Sequence, residues 1–185
     1  GQLTVGSDEV IESQSNGIVS IINMSTGKFD FTMNGGAVLV QNGGNLYFGN
    51  RNGGTMNVSG VPSFYVQGDK SVLAFSGVAV GGDNKLESIN VSNMGTLNLT
   101  NTEINGGDSL KAVNVLTAGK LSLKDSSLHG DSFNLTVQDS GTVELDNSTL
   151  SIDKAAAQTG GETSSEAAIV FDNGNLTLSL IHISE

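Results

Sequence analysis

The sequence has no cysteine and no tryptophan, a single proline (Pro62) and only 15% charged residues. Without cysteine there are neither disulfides nor thiolate metal sites, so stability must come from a packed core. Basic residues are also scarce, with eight Lys and Arg against 19 Asp and Glu and a formal charge of −11 at pH 7. The eight are scattered, so no cationic stripe is available for phosphates and nucleic acid is not an expected partner. No uninterrupted apolar run reaches the length of a membrane span, and no charged-then-apolar secretion signal is present, so direct membrane insertion of this segment is not expected. The chain opens at Gly1 without a methionine and is expected to be part of something longer.

What is abundant points the other way. Of 185 residues, 37% are apolar and 25 are glycine, and Asn, Ser and Thr are interleaved with Val, Leu and Ile. This mixture favours strands and turns in one ordered domain.

A string Val-x-x-x-Gly-x-φ-x-φ, with φ apolar, recurs along the chain. It appears at Val40/Gly44/Leu46/Phe48, Val91/Gly95/Leu97/Leu99, Val115/Gly119/Leu121/Leu123, Val137/Gly141/Val143/Leu145 and Val170/Gly174/Leu176/Leu178. Two weaker copies are Val66/Lys70/Val72/Ala74, with Lys in the glycine position, and Gly27/Phe29/Phe31, preceded by Ile21 and Ile22. Two residues before each anchoring valine stands another apolar residue (Val38, Phe64, Ile89, Val113, Leu135, Ala168), and this alternation buries one strand face. A third apolar strand position follows at Ile104, Leu128 and Leu150. The anchors at 27, 44, 70, 95, 119, 141 and 174 are separated by 17, 26, 25, 24, 22 and 33 residues. Steps of 22 to 26 residues fit one circuit of three strands and three turns, in which each coil is stable only against its neighbours. The expected fold is therefore an all-β, right-handed parallel β-helix of about six to seven coils with three short strands per coil. Strand boundaries within 1–26 and 49–63 are not fixed by the pattern.

Asn-Gly pairs at 16/17, 34/35, 42/43, 52/53, 105/106 and 173/174 mark corners, because both residue types tolerate left-handed backbone. The long last step is read as an exposed insertion at 154–166 (KAAAQTGGETSSE begins at Lys154), which is polar and lacks alternation. Residues 178–185 (LSLIHISE) resemble the translation of a transposase sequencing adapter. They are expected to be a non-biological tail, which leaves 1–177 as a single β-helix fragment and His182 without a role.

Several short motifs bear on chemistry. Gly107-Asp108-Ser109-Leu110 spells the string of a serine esterase family, but the next coil reads Gly130-Asp131-Ser132-Phe133 and His129 has no Asp three residues before it. Nucleophile activation needs a base within reach, so His129 is expected to be a solvated turn residue. No Gly-Asp-Ser-Gly protease motif occurs. Gly81-Gly82-Asp83 and Gly106-Gly107-Asp108 match only half of a calcium-binding nonapeptide. The turn acids Asp83, Asp108, Asp125, Asp131 and Asp139 are expected to be solvated, and Arg51, the only arginine, has no acid cluster in its coil. The Asn-x-Ser/Thr triplets at 90, 98, 134 and 147 reflect abundant polar residues on outward strand positions. No catalytic, cofactor-binding or metal-binding residue is assigned.

The segments LNLTNTEINGG (97–107), LSLKDSSLHGD (121–131) and VELDNSTLS (143–151) resemble the passenger coils of Gram-negative autotransporters, over most of residues 18–177. The resemblance implies export, display at the cell surface or outside the cell, and an outer-membrane barrel beyond this segment. The expected function is non-enzymatic adhesion or self-association, with a twin rod or with host and cell-surface glycans or proteins as partners and the 154–166 loop as a first contact. Passengers of this family carry different activities on one scaffold. Two alternatives stay open: a polysaccharide lyase, hydrolase or phage-tail depolymerase on a β-helix scaffold, and a purely structural spacer.

Overall fold

A computed structural model describes residues 1–7, 9–153, 169–172 and 175–178. Among these residues there are strands and turns and no helix. The strands form three parallel sheets of seven strands each. Sheet A stacks Gln2–Ser7, Lys28–Asn34, Thr55–Ser59, Ala79–Gly81, Glu103–Asn105, Ser127–Gly130 and Thr149–Ile152. Sheet B stacks Val10–Ser13, Ala37–Gln41, Ser63–Gln67, Ser88–Ser92, Ala112–Leu116, Asn134–Gln138 and Ile169–Asp172. Sheet C stacks Ile18–Asn23, Asn45–Asn50, Val72–Ser76, Thr96–Thr100, Lys120–Lys124, Thr142–Asp146 and Asn175–Leu178. The chain visits A, B and C in turn, so each strand between the ends of its sheet pairs with the strands one circuit before and after it, and the protein is a parallel β-solenoid of about six turns.

Alternation explains the core. Within most strands buried and half-buried positions alternate, and the buried ones line up in columns across coils. Sheet B contributes Val38/Phe64/Ile89/Val113/Leu135 and Val40/Val66/Val91/Val115/Val137. Sheet C contributes Leu46/Leu73/Leu97/Leu121/Val143 and Phe48/Phe75/Leu99/Leu123/Leu145. Sheet A contributes Phe31/Val58/Val80/Ile104/Leu128/Leu150. All of these side chains are buried, each contributing on the order of 1.5 to 3 kcal/mol of transfer free energy. Phe48 stacks on Phe75 with centroids 5.0 Å apart, and Phe31 and Phe64 meet this pair edge-on.

The registers correct three anchors. In the first coil Val19 pairs with Leu46 and Ile21 with Phe48, so the anchor is Gly17; Phe31 pairs with Val58 and belongs to sheet A. The two sheets share the glycine-then-alternation pattern, which is why Gly27/Phe29/Phe31 reads as the anchor, and the first sheet C step is 27 residues, not 17. In the third coil Leu73 pairs with Leu46 and Leu97, so Ser71, not Lys70, holds the anchor position, and Leu73 and Phe75, not Val72 and Ala74, face inward. In the last coil Ile169 and Phe171, not Ala168 and Val170, stand opposite Leu135 and Val137. Val143 pairs with Leu176 and Leu145 with Leu178, which keeps the long last step. The expected insertion at 154–166 and the tail beyond Leu178, including His182, lie outside the described residues.

The recurring glycine owes its place to a close backbone approach rather than to a left-handed φ. At the B-to-C corners the two residues before the anchor both have positive φ: Ser15–Asn16, Asn42–Gly43, Asn93–Met94, Thr117–Ala118 and Asp139–Ser140. The anchor N–H closes the turn on the carbonyl three residues back, as in Gly44 to Gln41 and Gly119 to Leu116, both 2.9 Å, the pattern of a type I′ turn. The anchors do not share the left-handed φ. Gly44, Gly95, Gly119 and Gly141 are glycines because a Cβ there would meet the backbone of the coil before: 2.3 Å from the Ser13 carbonyl oxygen at Gly44, and 2.2 Å from that of Val115 at Gly141. Ser71 escapes because its corner is one residue longer, with Gly68 and Lys70 at positive φ and Ser71 N–H bonded to the Gly68 carbonyl.

Candidate functional site

The C-to-A corner is built from one repeated device. After the last inward residue of the second to sixth sheet C strands, the second residue on is Asn50, Gly77, Asn101, Asp125 or Asn147, and the last four of these have positive φ. The residue after it in three coils is a buried hydroxyl: Thr102, Ser126 and Ser148. Each donates to the carbonyl two residues back (Thr100, 2.9 Å; Lys124, 2.7 Å; Asp146, 2.7 Å). Each also accepts the backbone N–H of the preceding coil (Val78, 3.4 Å; Thr102, 3.1 Å; Ser126, 3.0 Å). This ladder satisfies buried amides that the sharp corner removes from the sheet. Above it, Asn147 Nδ2 donates to Asp125 Oδ1 at 2.6 Å, and Asn23 Nδ2 donates to Asn50 Oδ1 at 3.0 Å.

Along this corner runs an open groove of about 640 Å³. Its polar lining comes from Asn50, Asn57, Asn101, Glu103, Asp125 and Asn147, with Ser126 and Ser127 between them. Its floor is Gly77, Val78 and Ala79, where the third coil carries no long side chain although its neighbours carry Asn101 and Glu103 at the matching positions. A Cβ on Gly77 would stand 3.5 Å from Asn50, an ordinary contact, and the positive φ of Gly77, which glycine tolerates best, is taken by asparagine at 101 and 147, so the space over Gly77 could hold such a side chain. The result is a bay flanked by amides on both sides, and none of its lining residues is basic. Beside it on sheet A, Asn57 Nδ2 donates to Asp30 Oδ1 at 3.0 Å and Lys28 Nζ lies 3.5 Å from Asp30 Oδ2. The Asn57 amide, followed by Lys28, holds the Asp30 carboxyl below its ordinary range.

The serine and the acids of the sequence motifs are dispersed around the rod. Ser109 Oγ faces the carbonyls of Leu86 (2.7 Å) and Gly106 (3.0 Å), a turn-closing role. Asp83 Oδ2 accepts the Gly60 N–H at 2.7 Å, Asp125 lies on the groove, and Asp139 sits at a B-to-C corner with positive φ. Arg51 is exposed in the corner after Asn50. His129 is not the lone solvated residue expected: its Nε2 lies 3.0 Å from Asp153 Oδ1, and Asp131 is close to both. The bay itself escaped the sequence reading, although Asn101, Asp125 and Asn147 stand two residues beyond Leu99, Leu123 and Leu145, a spacing that marks one corner.

Among the described residues no helix is long and apolar enough to cross a membrane. No protein-family model matches the chain, and neither a curated protein nor a solved structure matches it.

Proposed function

We propose that this chain is a segment of a surface-displayed, non-enzymatic adhesive rod of the autotransporter-passenger kind, and that it holds glycan chains in the bay over Gly77 and Ala79. The bay carries the reading. It runs across the coils, and its amide, hydroxyl and carboxylate groups recur at the strand spacing of about 4.8 Å, which suits the successive hydroxyls of an extended polysaccharide. Aligned donors and acceptors on a rigid ladder lose little entropy when a ligand binds.

The test is a pair of substitutions that copy the neighbouring coil. Gly77→Asn and Ala79→Glu place in the third coil the residues of the fourth (Asn101, Glu103), and Asn already occupies this left-handed position twice, so the fold is kept. The expected result is glycan retention on an array by the parent chain and its loss in the double variant, with unchanged circular dichroism. Equal retention by both proteins sinks the proposal.

A second reading has one observation in its favour: Glu103 and Asp125 both line the groove, and a pair of carboxylates can cleave a glycosidic bond. Polysaccharide turnover by the parent chain that Glu103→Gln abolishes would replace binding with hydrolysis.

A further inference from the structure

On the A-to-B side of the last coils, away from the bay, four residues form a two-by-two patch. His129 pairs with Ser151, and Gly130 with Ile152, which sets Asp131 beside Asp153 in adjacent coils. Leu128, Leu150 and Ile152 fill the core, so the strand alternation turns His129 and Ser151 outward. One ligand atom from each of His129, Asp131 and Asp153 lies within 4.8 Å of the other two.

We propose that His129, Asp131 and Asp153 bind a divalent transition-metal ion, with the Ser151 hydroxyl beside them. Register forces two carboxylates onto the same position of neighbouring coils, where like charges oppose stacking. A neutral imidazole with two carboxylates carries two negative charges, which a dication balances. One nitrogen and two oxygens match the donor set of Zn²⁺-type ions, which bind such atoms at about 2.0–2.2 Å, so the side chains need only close in on a common centre. Ca²⁺ favours six to eight oxygens and gains little from imidazole. An independent observation comes from Ser151. Its side chain belongs to a residue only 8% exposed, and among the described residues no hydrogen-bond partner satisfies its hydroxyl, an uncommon state for a buried polar group. The patch is specific to these two coils: the preceding one has Asn105 and Gly107 in the places of His129 and Asp131.

Calorimetric titration of the whole chain with ZnCl2, and separately with CaCl2, tests the site. The expected result is one Zn²⁺ bound per chain, a higher melting temperature with Zn²⁺, and no saturable Ca²⁺ binding. His129→Asn introduces the residue that the preceding coil already carries at this position, so it keeps the fold; it and Asp131→Asn should each abolish the stoichiometric Zn²⁺ binding and the thermal shift. His182→Gln, which removes the other histidine, should leave both unchanged. No stoichiometric Zn²⁺ binding, binding that survives His129→Asn, binding lost in His182→Gln, or saturable Ca²⁺ binding would each overturn the proposal.

Discussion

Replacing Gly119 by alanine tests why the repeat carries a glycine. The added Cβ would lie 2.6 Å from the Val91 carbonyl oxygen, 2.8 Å from its carbon and 3.0 Å from the Leu116 oxygen, where an ordinary contact begins at 3.4 Å. The closest approach therefore has to open by about 0.8 Å. Neither neighbour yields easily, because Lys120 N–H is bonded to Gly95 O and Thr142 N–H to Gly119 O, both at 2.9 Å. Overpacking of this kind costs about 1–3 kcal/mol, equivalent to about 2 to 12 °C in melting temperature for a chain of this size. Gly27→Ala is the control, since its Cβ would find nothing nearer than Ser25 Oγ at 3.7 Å and its φ is not left-handed. Its effect should stay within about 0.5 kcal/mol. Thermal and urea unfolding followed by circular dichroism compares the two. If Gly119→Ala melts with Gly27→Ala, the close approach of coil to coil is not what selects the glycine.

Two other outcomes follow from the corner and from sheet A. Ser126→Ala strips the acceptor from the buried Thr102 N–H (3.1 Å), a loss of about 1–3 kcal/mol; amide exchange at Thr102 should accelerate, and unchanged protection would contradict the ladder. Because the Asp30 carboxyl is held below its ordinary range in the fold, its contribution to stability is complete above the usual Asp value and disappears as pH falls through the lowered one. Asn57→Ala should move the Asp30 midpoint upward in a carboxyl ¹³C titration, and an unmoved midpoint would remove Asn57 as the main cause.

The circuit was legible where one residue type repeats at one register. Sheet B steps from Val40 to Val66, Val91, Val115 and Val137 in the order that the valines predict, and Ile104, Leu128 and Leu150 do form the third sheet. It was illegible where two registers carry the same pattern. Phe29 and Phe31 alternate as well as Val19 and Ile21 do, and only pairing partners tell sheet A from sheet C. The Lys70 anchor failed because a longer turn shifts the register by one without changing the apolar content. The candidate sites depend on stacking rather than on sequence neighbours. Gly77 is an unremarked glycine until Asn50 and Asn101 are placed on either side of it, and His129 and Asp153 stand 24 residues apart in sequence yet within hydrogen-bond reach.

The longer corner before Ser71 has a general consequence. One residue added inside a strand would exchange the inward and outward sides of everything after it in that strand, whereas the residue added between Gln67 and Ser71 leaves Leu73 and Phe75 above Leu46 and Phe48. Length in this rod is negotiable at its vertices and fixed along its edges, so its perimeter and its ornament can vary while the interior stays the same.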